Sequence, residues 1–332
     1  MPDIMDLQCA SGLVTKTKVG AIPIPTAFPM AIGNANVIAG DSQGITMRFN
    51  YLSVDLESAH HSANLQARLR RMQDRPLRDM LAQRVVYGTR RLLELFAQFQ
   101  VKGTFFVLGE VATAHPRLMD DIAAAGHSLA SHGMAHRKVF RLQLDEFRGE
   151  LEESRDCLRP WEKSWAAGLG YRAPDFSLPP TDEHYAALQA AGYAWSSSLM
   201  AARLPDKLLA GVPEERRRAL REGREHTLEL PGGSFREFPL AGKRVLGQPL
   251  AWGGGFWLRA LPLAWNLSRM REWNRQGRPF HLYVHPWELD LEQPRLHLPA
   301  WRRFRQYHGL EHFEERLERV LGEFRFKPIG EE

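Results

Sequence analysis

Cysteine is almost absent from this 332-residue chain: Cys9 and Cys157 are the only two. Two cysteines so far apart supply neither a disulfide framework nor a zinc ribbon, and they are compatible with a reducing compartment. No apolar run is long enough to cross a bilayer as a helix. Nor does the start carry the charged head, apolar stretch and small-residue cleavage site of a secretory signal, so a cytoplasmic location is expected. An excess of one charge is also lacking, with 44 Lys and Arg against 39 Asp and Glu, a net +5. Clusters such as Arg68-Leu69-Arg70-Arg71 and Arg216-Arg217-Arg218 read as solvated faces with a weak attraction for anionic lipid head groups or acidic glycans. No nucleic-acid module is found. Charges are sparse in residues 1–46, where Pro23, Pro25 and Pro29 break any helix. Two expectations stand for that stretch: a disordered leader, or a mis-called start with translation beginning at Met47, just before the first core strand.

What is present is an ordinary globular composition, 44% apolar and 25% charged, enough for one large core. Strand-like runs ending near Glu57, Val107, Ala130, Tyr171, Ser197, Pro239 and His285 alternate with amphipathic stretches over 110–125, 144–161, 181–191 and 259–275. That alternation predicts an α/β barrel or a doubly wound sheet.

Three histidine pairs have the spacing i, i+4: His132/His136, His281/His285 and His308/His312. The second flanks a strand-like run, where four residues span about 13 Å and cannot grip one ion. The third lies in a charged, helix-like tail and reads as exposed. His132 and His136 follow a strand end, with a glycine that lets the backbone turn, and suit a two-point metal clamp. Upstream, Asp55 and Glu57 close an apolar run, one residue apart. Two carboxylates there can divide the work, one binding a cation and one moving a proton; alternatively, Asp55 caps a helix and Glu57 is solvated. The candidate groups Asp55, Glu57, His132, His136, Arg172 and His285 all follow strands, the edge where α/β barrels place their sites. Gly253-Gly254-Gly255 lacks the frame of a phosphate loop and reads as a tight turn.

Taken in order, five segments resemble the motifs of the polysaccharide deacetylase (NodB-homology) superfamily of carbohydrate esterases. They are Ser53-Val54-Asp55-Leu56-Glu57, Ser131-His132-Gly133-Met134-Ala135-His136, Tyr171-Arg172-Ala173-Pro174, Trp195-Ser196-Ser197-Ser198 and Leu282-Tyr283-Val284-His285. The likeness extends to exosortase-associated deacetylases of bacterial exopolysaccharide clusters, whose C-terminal extension resembles Gly253-Gly254-Gly255-Phe256-Trp257, Val284-His285-Pro286-Trp287-Glu288 and the tail from Arg302 to Pro328. It implies one catalytic domain over 47–332, including an extension over about 230–332, folded as a distorted, incomplete (β/α) barrel.

The resemblance further implies removal of N-acetyl groups from amino sugars. Glu57, His132 and His136 would hold a divalent ion, Zn²⁺ or else Co²⁺. Asp55 would be the base, paired with Arg172; His285 would protonate the departing amine; the backbone N–H of Asp175, after Pro174, would meet the oxyanion. Trp252 and Trp287 would line a sugar platform or else pack in the core. The partner would be an N-acetylated glycan, with peripheral membrane contact to a lipid-linked saccharide. The chain departs from the family at three places: Glu57 replaces the commoner Asp, Ser58 follows it where near relatives carry Asp, and Ser196 replaces an Asp that orients the catalytic histidine. Asp175 and Glu288 are the candidates to take over that last role, while His60 and His61 either join the site or cover it. Two alternatives remain, an allantoinase-like amidohydrolase and a carbohydrate-binding relative without catalysis.

Overall fold

A computed structural model describes residues 49–200, 211–245, 248–251 and 253–331, with backbone alone for 242–251. The leader and Trp252 lie outside the described residues.

The sheet is built around β1 (Asn50–Leu56), buried along its length except at Tyr51, as a strand covered on both faces must be. In chain order follow α1 (Ala63–Met72), α2 (Arg75–Gln83), α3 (Val85–Gln98), β2 (Thr104–Val107), α4 (Gly109–Ala114), α5 (Pro116–Ala124), β3 (Ser128–Ser131) and α6 (Leu144–Leu158). Next come β4 (Gly170–Tyr171), α7 (Asp182–Ala190), β5 (Trp195–Ser196), α8 (Glu214–Glu222), β6 (His226–Leu230), β7 (Gly233–Glu237), β8 (Gly242–Val245) and β9 (Gln248–Ala251). The remainder is α9 (Gly255–Ala260), α10 (Leu263–Arg275), β10 (His281–Val284), α11 (Ala300–Tyr307), α12 (Phe313–Glu323) and β11 (Phe326–Lys327).

Among the described residues, nine strands form one sheet in the order β10-β1-β2-β3-β4-β5-β7-β6, with β11 against the start of β1. Every pairing is parallel except the β6–β7 hairpin. The order does not return from β6 to β10, so the barrel stays open, the α/β architecture expected. Helices cover the sheet through apolar stripes; α3 buries Val85, Leu92, Leu95 and Phe96, positions that fall on one face at 3.6 residues per turn. Gly88 lets α3 press against the turn after β10, since a Cβ there would lie 2.0 Å from the Pro286 carbonyl oxygen.

Two expected helices are each divided. Pro116 starts α5 afresh after α4, and Pro262 separates α9 from α10, because proline has no N–H to continue the ladder and favours a first turn. The β8–β9 and β6–β7 hairpins and helices α1, α2 and α8 go beyond the sequence-based expectation.

Candidate metal centre and active site

Strand register brings the polar groups together. Leu56 pairs with Val107, Val107 with Ser131, and Ser131 with Tyr171. The residues just past those ends, Glu57, His132 and Arg172, therefore emerge side by side, and His285 follows β10 on the other flank of β1. A tight turn, Glu57 N–H to the Asp55 carbonyl at 2.9 Å, leaves both carboxylates buried at 3% and 4% exposure.

Glu57, His132 and His136 offer ligand atoms all within 4.8 Å of one another, and all three side chains are buried. One carboxylate and two imidazoles match the donor set of a divalent-ion site with open positions. The His132 Nδ1 lies 2.8 Å from the Arg172 carbonyl oxygen, which fixes Nδ1–H as donor and leaves Nε2 as the ligating atom. His136 reaches inward because its backbone is left-handed, φ 52°, a conformation uncommon outside glycine. It sets Nε2 at 2.5 Å from Glu57 Oε2. Burial pulls His132 down to about 4, so it is neutral, as a ligand must be. Burial opposes the charge on Glu57, but His136 and the other histidines outweigh it and hold the carboxyl well below its usual range. Burial likewise opposes charge on His136, and Glu57 more than offsets it, raising the imidazole.

Asp55 stands beside this donor set, outside it. Its partner is Arg172, fully buried, with Nη1 at 2.6 Å from Asp55 Oδ1. The same guanidinium donates to Ser53 Oγ, Ser197 O, Ser197 Oγ and His281 Nε2 at 2.9–3.2 Å and lies 3.9 Å over the Phe106 ring. Those contacts fix its plane, and burial lowers its pKa against the pull of Asp55. Burial with Arg172 nearby drives His281 well below its ordinary value, so it accepts from the guanidinium as a neutral ring.

His285 completes the cluster, with Nε2 at 3.9 Å from Glu57 Oε1. Of the two acids that could orient it, Glu288 does so: its Oε2 lies 3.1 Å from both His285 Nδ1 and His285 N, while its Oε1 takes Arg259 Nε at 3.0 Å. Asp175 instead meets Lys138 Nζ at 2.7 Å. Burial would lower His285, but Glu288, followed by Glu57 and Asp55, pushes it up to about 9. The glycine run is what admits Glu288, since a Cβ on Gly255 would sit 2.0 Å from its Oε2. Trp287 is 7% exposed and stacks on His285 at 5.1 Å, so most of its face is already covered. Pro174 and Asp175 open the turn after β4, with Asp175 left-handed at φ 55°.

Ser196 is remote from His285 in role: it donates to Ser198 Oγ at 2.8 Å, which in turn accepts from the Ala173 N–H. Beneath it lies Glu237, fully buried, accepting the N–H groups of Ser198 and Leu199, both at 2.9 Å. Burial pushes Glu237 up to about 7 against those hydrogen bonds. Sequence reasoning missed this residue, although the alternation Phe235-Arg236-Glu237 points it inward. His60 and His61 form a second group with Glu110. There His61 Nε2 contacts Glu110 while its Nδ1 accepts from Ser58 N–H, and its ring stacks on His136 at 5.7 Å.

Comparison with known proteins bears on this arrangement. Residues 83–194 match the family model for polysaccharide deacetylase. That segment is therefore similar to the polysaccharide deacetylases. Residues 197–331 match a domain of unknown function, DUF3473. A peptidoglycan-N-acetylglucosamine deacetylase of Bacillus cereus is 33% identical over 95 residues, 29% of this chain and 32% of that protein. A chitooligosaccharide deacetylase of Rhizobium leguminosarum bv. trifolii is 33% identical over 70 residues, 21% of this chain and 33% of that protein. The chain thus spans about a third of the length of these curated relatives. Among solved structures, a Mycobacterium smegmatis protein assigned by name to the polysaccharide deacetylases superposes with a TM-score of 0.51 at 19% identity, covering 82% of this chain and 85% of that one. The allantoinase Puue gives 0.51 at 14% identity, covering 83% and 85%. These two likenesses concern the fold, an open α/β barrel of the NodB type.

Proposed function

We propose that the protein is a metal-dependent hydrolase that removes N-acetyl groups from amino sugars of a saccharide. The observation that carries this reading is the division of labour among four acidic and basic groups: Asp55 paired with Arg172 beside the Glu57–His132–His136 set, and His285 backed by Glu288 across from it. The relatives' names, both deacetylases of N-acetylated sugars, point the same way.

A divalent ion, Zn²⁺ or Co²⁺, held by Glu57, His132 and His136 would supply Lewis acidity toward water and the acetyl oxygen. Asp55 takes the proton from the attacking water, its carboxylate kept in place by Arg172. The Asp175 amide, fixed by the left-handed turn, donates to the developing oxyanion. His285, protonated up to about pH 9, gives its proton to the amine nitrogen as the C–N bond breaks. Without that proton an amide anion would have to leave.

The resemblance of the C-terminal motifs to exosortase-associated deacetylases supports a role in exopolysaccharide production, on a cytoplasmic or membrane-attached saccharide. Among the described residues no helix is long and apolar enough to cross a membrane; the attachment proposed is peripheral, and cell fractionation tests it. The function is tested by elemental analysis of the purified protein with an acetate-release assay on N-acetylated chito-oligosaccharides. Activity lost to a chelator and restored by Zn²⁺ or Co²⁺ is the expected result. Glycan binding without acetate release from any N-acetyl glycan, with or without metal, would sink it.

A further inference from the structure

Against the candidate metal ligand His136 opens a cleft of about 460 Å³ whose walls are strongly basic. Arg70 comes from α1, Arg78 from α2, and Arg137, Lys138 and Arg141 from the segment after His136; among the described lining residues Glu110 is the one acid. Two of these cations are already neutralised, Arg137 by Glu146 and Glu150 and Lys138 by Asp175. Arg70, Arg78 and Arg141 have no carboxylate within ion-pair distance among the described residues, and all three are exposed. A second recess shares Arg70 and Arg78 and adds Arg75.

Cations drawn together on a concave wall repel one another, and the low-dielectric walls of a cleft focus the field they make. A protein of net charge +5 has ample surface on which to disperse three arginines. Three separate elements instead turn them toward one groove that ends at the reacting centre. Guanidinium groups suit carboxylate and phosphate oxygens, which they engage through paired N–H bonds.

We infer that this cleft is a subsite for an anionic group carried by the saccharide, a uronate or a phosphate, so that the substrate is an acidic glycan. The inference rests on the deacetylase reading for the word substrate, and on the cleft alone for the anion. Bound there, the anion sits beside His136 and holds the neighbouring N-acetyl sugar at the centre, while Arg137 and Lys138 stay in their own ion pairs.

Calorimetry of the metal-loaded protein with tetragalacturonate, N-acetylglucosamine 1-phosphate and neutral N-acetylglucosamine tests the inference, on the native sequence and on Arg70→Gln/Arg78→Gln/Arg141→Gln. At least one anionic probe is expected to bind more tightly than the neutral sugar, with affinity falling as salt rises. The triple variant should lose roughly tenfold or more of that affinity, and Lys at the same three positions should retain part of it. Acetate release from neutral chito-tetraose should stay within about twofold, because these side chains lie outside the reacting groups. Preference for the galacturonate assigns an acidic sugar within the chain; preference for the phosphate assigns a phosphorylated end. Equal affinity for charged and neutral probes, or a triple variant that melts normally and binds the anions as the native protein does, would overturn it. Should no glycan release acetate while the arginine-dependent binding persists, the deacetylase reading fails and the anion site stands.

Discussion

At the end of β1 a buried guanidinium, Arg172, holds a carboxylate, Asp55, close enough to His132 to pull on its charge. At the end of β10 a second buried guanidinium, Arg259, holds a carboxylate, Glu288, whose other oxygen holds a histidine. The ion pairs are chemically alike and their outcomes differ. One oxygen of Asp55 is engaged by Arg172, which suits a group that must accept a proton. Both oxygens of Glu288 are engaged, and its charge is spent on keeping His285 protonated to about pH 9, which suits a group that must give one. Glycine decides the second case, because only the missing Cβ of Gly255 admits the Glu288 carboxylate. Arg259, Gly255, His285 and Glu288 all fall within 197–331, the region that matches a domain of unknown function. That region therefore supplies the support of the proposed proton donor and is no mere appendage.

The sharpest break comes from Asp55→Asn, which should lower acetate release roughly a thousandfold while leaving bound metal unchanged by elemental analysis. His132→Ala should lose the metal as well. Equal metal loss in the two variants would mean that Asp55 is a ligand and the division of roles is wrong. Next in size is Glu288→Gln, which keeps a hydrogen-bonding group against His285 but removes the charge. Turnover near pH 8 should fall roughly tenfold to a hundredfold. A proton donor works below its own pKa and fails above it, so the alkaline limb of the rate profile should retreat from about 9 toward the ordinary histidine range. A limb that does not move would dissolve the comparison between the two pairs.

Gly255→Ala probes the same contact through packing. It should shift the alkaline limb in the same direction and cost about 1–3 kcal/mol of stability, read from denaturant unfolding. The subtlest test concerns Glu237, a buried carboxyl that none of the described ion pairs neutralises. Its native pKa is raised, to about 7, so the protonated form favours folding. That contribution is complete below the ordinary carboxyl range and is lost as pH climbs through 7. Glu237→Gln lacks this loss; relative to the native protein it should gain stability between pH 5 and pH 8, by about 3 kcal/mol at most. A difference independent of pH would show that Glu237 does not titrate over this range and would sink its role as a raised carboxyl beneath the Ser198 and Leu199 N–H groups.

Much of the site was legible because it depends on short-range order. A strand end fixes where the next side chain emerges, so Asp55, Glu57, His132, Arg172 and His285 could be assigned to one edge from apolar runs alone, and His132 and His136 could be paired from spacing and an intervening glycine. The dismissal of the other two histidine pairs as metal clamps rested on equally local grounds; His281 and His285 do bound one strand, and His308 and His312 are exposed. The breaks at Pro116 and Pro262 were open to the same local rules, since each proline begins a new first turn or precedes one.

The amino-acid sequence by itself determined the alternating α/β pattern and the edge that carries the polar groups, because both follow from periodicity and from residues a few positions apart. Tertiary structure alone decided which acid serves His285, where Ser196 and Glu237 act, and that arginines from α1, α2 and the loop after His136 face one cleft. Glu288 lies only three residues from His285, whereas Glu237 meets Ser198 from 39 residues away; near or far, what selects these partners is the register of the strands and the room left by a missing Cβ, quantities that exist only once the backbone has closed around the site.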